Sequence, residues 1–111
     1  MNQRARQALA DLLDHAAAAA RLIGRGRPAY QADEMLRYAA EDLIIRLGEA
    51  ARRAQQADPS AADAHPELEL RQLNDSRNVL AHGYDIVDAD IVWEILARDI
   101  PRVAAAVKAL L

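Results

Sequence analysis

This 111-residue sequence predicts an all-α fold: an up-and-down bundle of four main helices with a short fifth helix at the C-terminus. Three observations predict it. Apolar residues make up 52% of the chain but aromatics only 4%, and phenylalanine is absent, so alanine and leucine carry the hydrophobicity. Such side chains suit close-packed helices better than a pleated sheet. They also recur at three- and four-residue intervals, which places them on one face of a helix. No segment shows the two-residue alternation of a half-buried strand. At this length a single domain, residues 1–111, is expected.

The first helix is expected from about Gln3 to Ile23, with Leu9, Leu12, Leu13, Ala16, Ala20 and Ile23 forming one apolar stripe. Gly24-Arg25-Gly26-Arg27-Pro28 stops it, a glycine end followed by a proline. These glycines lack the spacing and the lysine of a phosphate-binding loop, so the segment reads as a turn. A longer helix follows from an N-cap at Asp33 to about Ala57, with Leu36, Ala40, Leu43, Leu47, Ala50 and Ala54 stepping along a bundle seam. Asp58-Pro59-Ser60 ends it. The third helix is expected to start near Glu67, after Pro66, and to run through Leu70, Leu73, Val79 and Leu80 to Gly83. Asp88 or Asp90 caps a fourth helix carrying Ile91, Val92, Trp93, Ile95 and Leu96. Pro101 predicts a break near Asp99 and a last short helix to Leu110.

Composition excludes several kinds of chemistry. There is no cysteine, hence no disulfide, thiolate nucleophile or cysteine-ligated zinc. No apolar run approaches the roughly 20 residues of a membrane span, and the N-terminus lacks a secretory apolar centre, so a cytoplasmic location is expected. The net charge of −3 argues against a protein that grips nucleic acid with its whole surface. A local basic patch remains open, since every basic residue except Lys108 is arginine, the side chain suited to two-point phosphate contacts.

The unusual stretch is Ser76-Arg77-Asn78-Val79-Leu80-Ala81-His82-Gly83-Tyr84. Gly83 is expected as the residue just past the helix, which leaves His82 in the last turn and Tyr84 beyond it. Asn78 and His82 are four residues apart and so share a face, with Arg77 about 100° round the helix from Asn78. The negative helix end, with Asp85 nearby, favours a protonated His82. A histidine that titrates near neutrality can move a proton, and an arginine can balance the charge of a phosphorane, without a metal. That pair suits RNA cleavage by the substrate's own 2′-hydroxyl. The same groups also suit a plain helix end, with Arg77, Asn78 and His82 satisfying its last carbonyls.

The segment Arg77 to Tyr84 resembles the R-x4-H-x-Y motif of the HepT-type toxins of the HEPN superfamily. Leu47-Gly48-Glu49-Ala50-Ala51-Arg52 resembles that family's GEA stretch, and Asp90 to Ile95 followed by Asp99-Ile100-Pro101 resembles its C-terminal signature. The resemblance spans nearly the whole chain and implies a HEPN-like bundle. It further implies the toxin of a prokaryotic type VII-like toxin–antitoxin pair, a metal-independent endoribonuclease needing no cofactor. Arg77 and His82 then take the catalytic roles and Asn78 the polar position beside the arginine. Two motifs face one cleft in a homodimer. The implied partners are an RNA substrate and a minimal, MntA-like nucleotidyltransferase antitoxin that places AMP on Tyr84. A bulky anion there would repel RNA phosphate. A dimer would also supply two histidines, one as base and one as acid.

Other residues invite weaker roles. Glu49 is a candidate to orient Arg77, or else a surface glutamate. Gly48 inside a helix costs roughly 1 kcal/mol and suggests that a neighbouring helix approaches closely. Arg46, Arg52 and Arg53 are candidates for an RNA path but singly read as solvated charge. His15 and His65 lack metal-ligand spacing, and Trp93 reads as a core or dimer-interface residue. Two other functions stay open: a non-catalytic HEPN subunit that regulates a nucleotidyltransferase partner, and a purely structural helical dimer.

Overall fold

A computed structural model describes residues 1–81 and 87–111, with Val79 and Ala81 as backbone only. The described residues form an all-α bundle. Helix α1 (Gln3–Ile23) is capped by the Asn2 side chain, which accepts from the Ala5 N–H at 2.9 Å. Its buried line runs Ala5, Ala8, Leu9, Leu12, Ala16, Ala19 and Leu22; Leu13 and Ile23 flank it, and Ala20 is exposed.

Gly26, at a φ of 91°, turns the chain into a six-residue helix α2 (Arg27–Ala32). The expected turn is therefore half helix: Pro28 stands in the first turn of a new helix, where its missing N–H is no loss. This small helix is an anchor. Tyr30 is buried, its hydroxyl donates to the Ala89 carbonyl at 2.7 Å, and its ring centroid lies 5.0 Å from that of Trp93. Trp93 thus takes the core position among its two expected ones.

Helix α3 (Glu34–Ala57) begins at Asp33, whose carboxylate accepts from the Met35 N–H. It is the central helix, packed against α1 on one side and against α5 (Leu70–Ala81) on the other. Its antiparallel pairing with α1 is pinned at one end by Asn2, which bonds the Ala57 carbonyl through its side chain and Asp58 through its N–H.

Between α3 and α5 the structure departs from expectation. Asp58 caps a short helix α4 (Pro59–Ala64), again opened by its proline. Pro66–Leu68 form one 3-10 turn, and Glu69 takes a left-handed conformation with φ 52° and ψ 34°. The third long helix therefore starts at Leu70 rather than near Glu67. Leu68, fully buried, fixes the turn in the core, while Glu69 accepts the Leu73 N–H on its carbonyl and two Arg102 donors on its carboxylate, at 2.7 and 2.9 Å.

Asp88, not Asp90, caps α6 (Ala89–Glu94), accepting from the N–H groups of Asp90 and Ile91. The expected break near Asp99 is absent. Ile95–Asp99 form a single π-helical turn that runs straight into α7 (Ile100–Leu110), so the fourth and fifth helices are one rod. The Ile100 N–H reaches back five residues to the Ile95 carbonyl. A proline clashes with the carbonyl four residues before it, and for Pro101 that carbonyl, of Ala97, belongs to the wide π turn. No helix among the described residues is long and apolar enough to cross a membrane.

Candidate functional site

The site is built where α3 crosses α5. A β-carbon added to Gly48 would lie 2.2 Å from the Arg77 β-carbon and 2.6 Å from the Leu73 carbonyl oxygen. The two backbones therefore meet at a distance only glycine permits, which is the close approach that Gly48 suggested. The first atoms of the Arg77 side chain rest on that glycine, so its stem is confined and its guanidinium emerges at the edge of the crossing.

Two groups meet that guanidinium. Its Nη1 donates to Asn78 Oδ1 at 2.8 Å. Its Nε lies 3.3 Å from Glu49 Oε2, within ion-pairing distance, yet the N–H is not aimed at the oxygen. Buried from solvent, this Nε–H makes no hydrogen bond among the described residues. An unmet buried donor costs about 1–3 kcal/mol, so the guanidinium is held by charge in a position short of its best pairing. Asn74 Oδ1, one turn earlier on α5, is likewise buried with no partner among the described residues.

Glu49 is bound more firmly elsewhere. Arg52, three residues along α3, donates to Glu49 through Nη2 and through Nε at 3.1 Å, and its Nη1 donates to Gln56 at 2.8 Å. The hydrogen bond from Arg52 and its charge, followed by the charges of Arg77 and Arg53, hold the Glu49 carboxyl below its ordinary range, against the opposing effect of burial. Arg77 acts on Glu49 through charge, Arg52 through charge and hydrogen bonds together. The result is a chain of polar contacts, Gln56–Arg52–Glu49–Arg77–Asn78, running from α3 across to α5.

The structure thus brings together Arg77, Asn78 and Glu49. His82 and Tyr84, with Gly83 and Asp85, lie outside the described residues. Arg46 and Arg53 are drawn off to Asp42 and Asp11, as expected of ordinary helix charges. Arg52 is the residue whose part here is larger than its sequence suggested; its spacing of three from Glu49 was the available signal. His65 pairs with Glu67 at 2.9 Å.

An all-α bundle with an arginine–asparagine pair on a helix that leads to a histidine and a tyrosine has the architecture of the HEPN superfamily. The chain belongs to the HepT-like ribonuclease family: the family described as "Ribonuclease HepT-like" matches residues 7–110. A protein of Methanocaldococcus jannaschii named "Putative RNase MJ1380" is 26% identical over 76 residues, which cover 68% of this chain and 67% of that protein. No solved structure matches the chain.

Proposed function

We propose that this protein is a metal-independent endoribonuclease and the toxin of a type VII-like toxin–antitoxin pair, working in the cytoplasm as a homodimer. Membership of a ribonuclease family supports the reaction class. The observation that carries the assignment to this site is Arg77: a side chain 26% exposed, confined at its stem by Gly48 and steadied at its head by Asn78 and Glu49. A guanidinium so held meets a phosphate with little further loss of freedom.

In this reaction His82 takes the proton of an RNA 2′-hydroxyl as its oxygen attacks the adjacent phosphorus. Arg77 balances the charge that builds on the phosphorane oxygens. The bond to the 5′-oxygen breaks, and that oxygen leaves with a proton from a second acid, the histidine of a second copy across a two-fold cleft. The products are a 2′,3′-cyclic phosphate and a 5′-hydroxyl. Control falls to Tyr84: a nucleotidyltransferase antitoxin transfers AMP from ATP to the phenolic oxygen, pyrophosphate leaves, and the added anion bars RNA from the cleft.

The test compares antitoxin-free wild type, Arg77→Ala, His82→Ala and AMP-modified protein on a defined RNA in the presence of EDTA. Wild type should cut and leave cyclic phosphate ends. Each of the other three should lose about 100-fold or more, the usual weight of a proton-transfer or charge-stabilising group. Uncut RNA with the wild-type protein would defeat the nuclease assignment.

A further inference from the structure

Glu49 lies between two arginines and is shared unequally. Arg52 occupies both of its carboxylate oxygens, while Arg77 reaches only one of them, at 3.3 Å and without alignment. We propose that Arg52 is a positioning residue: it keeps Glu49 turned toward α3, and so prevents that carboxylate from capturing the Arg77 guanidinium that an RNA phosphate must use. The inference rests on the ribonuclease function proposed above.

The Arg77 Nε–H has no hydrogen-bond partner among the described residues, although a carboxylate stands beside it. Gly48 confines the arginine's stem, so better pairing must come from a turn of Glu49 rather than a retreat of Arg77. Without Arg52, both oxygens of Glu49 become free to swing onto Arg77 and close a two-point pair. That pair uses the parallel N–H groups that would otherwise meet two oxygens of a phosphate. Carboxylate and substrate would then compete for one fork. Arg52 has a second, simpler effect. With it the three groups carry a net charge of one positive unit, and without it they carry none. A double-mutant cycle separates the two effects, because lost charge is felt whatever stands at position 49, whereas capture requires the Glu49 carboxylate.

The experiment measures kcat/KM on a defined RNA, and the Kd of the same RNA carrying a 2′-deoxy group at the scissile position, for wild type, Arg52→Ala, Glu49→Gln and the double variant. Melting curves accompany each, with Arg52→Gln as a second variant should Arg52→Ala not fold. Arg52→Ala should lower kcat/KM and weaken binding by roughly fivefold, about the weight of one partly exposed ion pair. In the Glu49→Gln background the same substitution should bring a clearly smaller loss, the part that lost charge alone accounts for. An equal loss in both backgrounds overturns the proposal and makes Arg52 a direct contact or a source of charge. No loss in either background overturns it as well. A wild-type protein that cuts no RNA removes the ribonuclease function itself, and this proposal with it; that failure is read from the wild-type arm alone.

Discussion

Gly48 and Arg77 touch so closely that a β-carbon on the glycine would sit 2.2 Å from that of the arginine. Fold and site therefore depend on one another at this point. The glycine that lets two long helices cross is the surface on which the candidate catalytic arginine is laid.

Gly48→Ala sets two effects in opposition. Alanine gains roughly 1 kcal/mol in helix propensity over glycine. Against that stand contacts of 2.2 Å to a β-carbon and 2.6 Å to a backbone carbonyl, neither of which is the far end of a flexible chain. Overpacking of this kind typically costs about 1–3 kcal/mol, so the clash should win. The expected result is a net loss of stability in urea denaturation. Because relief requires α5 to move, RNA cleavage should fall further than stability does. A stabilised variant with full activity would contradict the crossing geometry.

Tyr30→Phe tests the corner that α2 makes with α6. The buried hydroxyl donates to the Ala89 carbonyl at 2.7 Å, and a hydrogen bond of this kind contributes about 0.5–1.5 kcal/mol net. Ala89 opens α6, so its carbonyl keeps the bond within the helix and the cost should fall in the lower part of that range. Trp93 is the sole tryptophan of the chain and sits against Tyr30, so its fluorescence reports on this corner directly. A midpoint shift should appear with little change in the native emission, because the phenyl ring keeps its packing.

Pro101→Ala asks whether the proline strains the rod formed by α6 and α7. In an ordinary helix interior this replacement should stabilise by about 3 kcal/mol. Here the carbonyl four residues back belongs to the wide π turn, and Pro101 stands in the first turn of α7. The change should therefore stay within about 1 kcal/mol, partly offset by the greater freedom of the unfolded chain. A gain near 3 kcal/mol would show that the proline is endured and not accommodated.

Legibility in the sequence followed how local each signal was. Helices α1 and α3 could be placed from Gly24, the Asp33 cap and Asp58-Pro59, because a stop or cap acts on the residues beside it. The short helices α2 and α4 were hidden: six residues carry no periodicity, and each has in its first turn a proline that reads as a terminator of the helix before it. Nothing in the side chain of Glu69 announces a left-handed residue. That conformation answers to the burial of Leu68 and to Arg102 from a distant helix. The π turn was equally hidden, since it reconciles Pro101 with a rod that packs along α1. At the site, Gly48 signalled a close crossing and Arg77 stood out by its motif. Which arginine takes the Glu49 carboxylate depended on the crossing itself, and spacing along α3 alone could not decide it.

Acid stability offers a last check on that carboxylate. Arg52 above all holds the Glu49 carboxyl below its ordinary value of 4.5, and Arg53 lowers Asp11 in the same way. A carboxyl depressed in the folded state binds its proton more weakly there than in the unfolded chain. Its contribution is thus complete above the ordinary value and is lost as pH falls through the folded one. Between pH 6 and 8 Glu49 should add no pH dependence, whereas on the acid side, below about pH 4.5, stability should decline. Glu49→Gln should flatten that decline and leave the slope near neutrality unchanged. Urea midpoints of both proteins from about pH 3 to 7 measure this. An identical acid slope in the variant would mean that the contacts of Glu49 with Arg52 and Arg77 add nothing to the folded state.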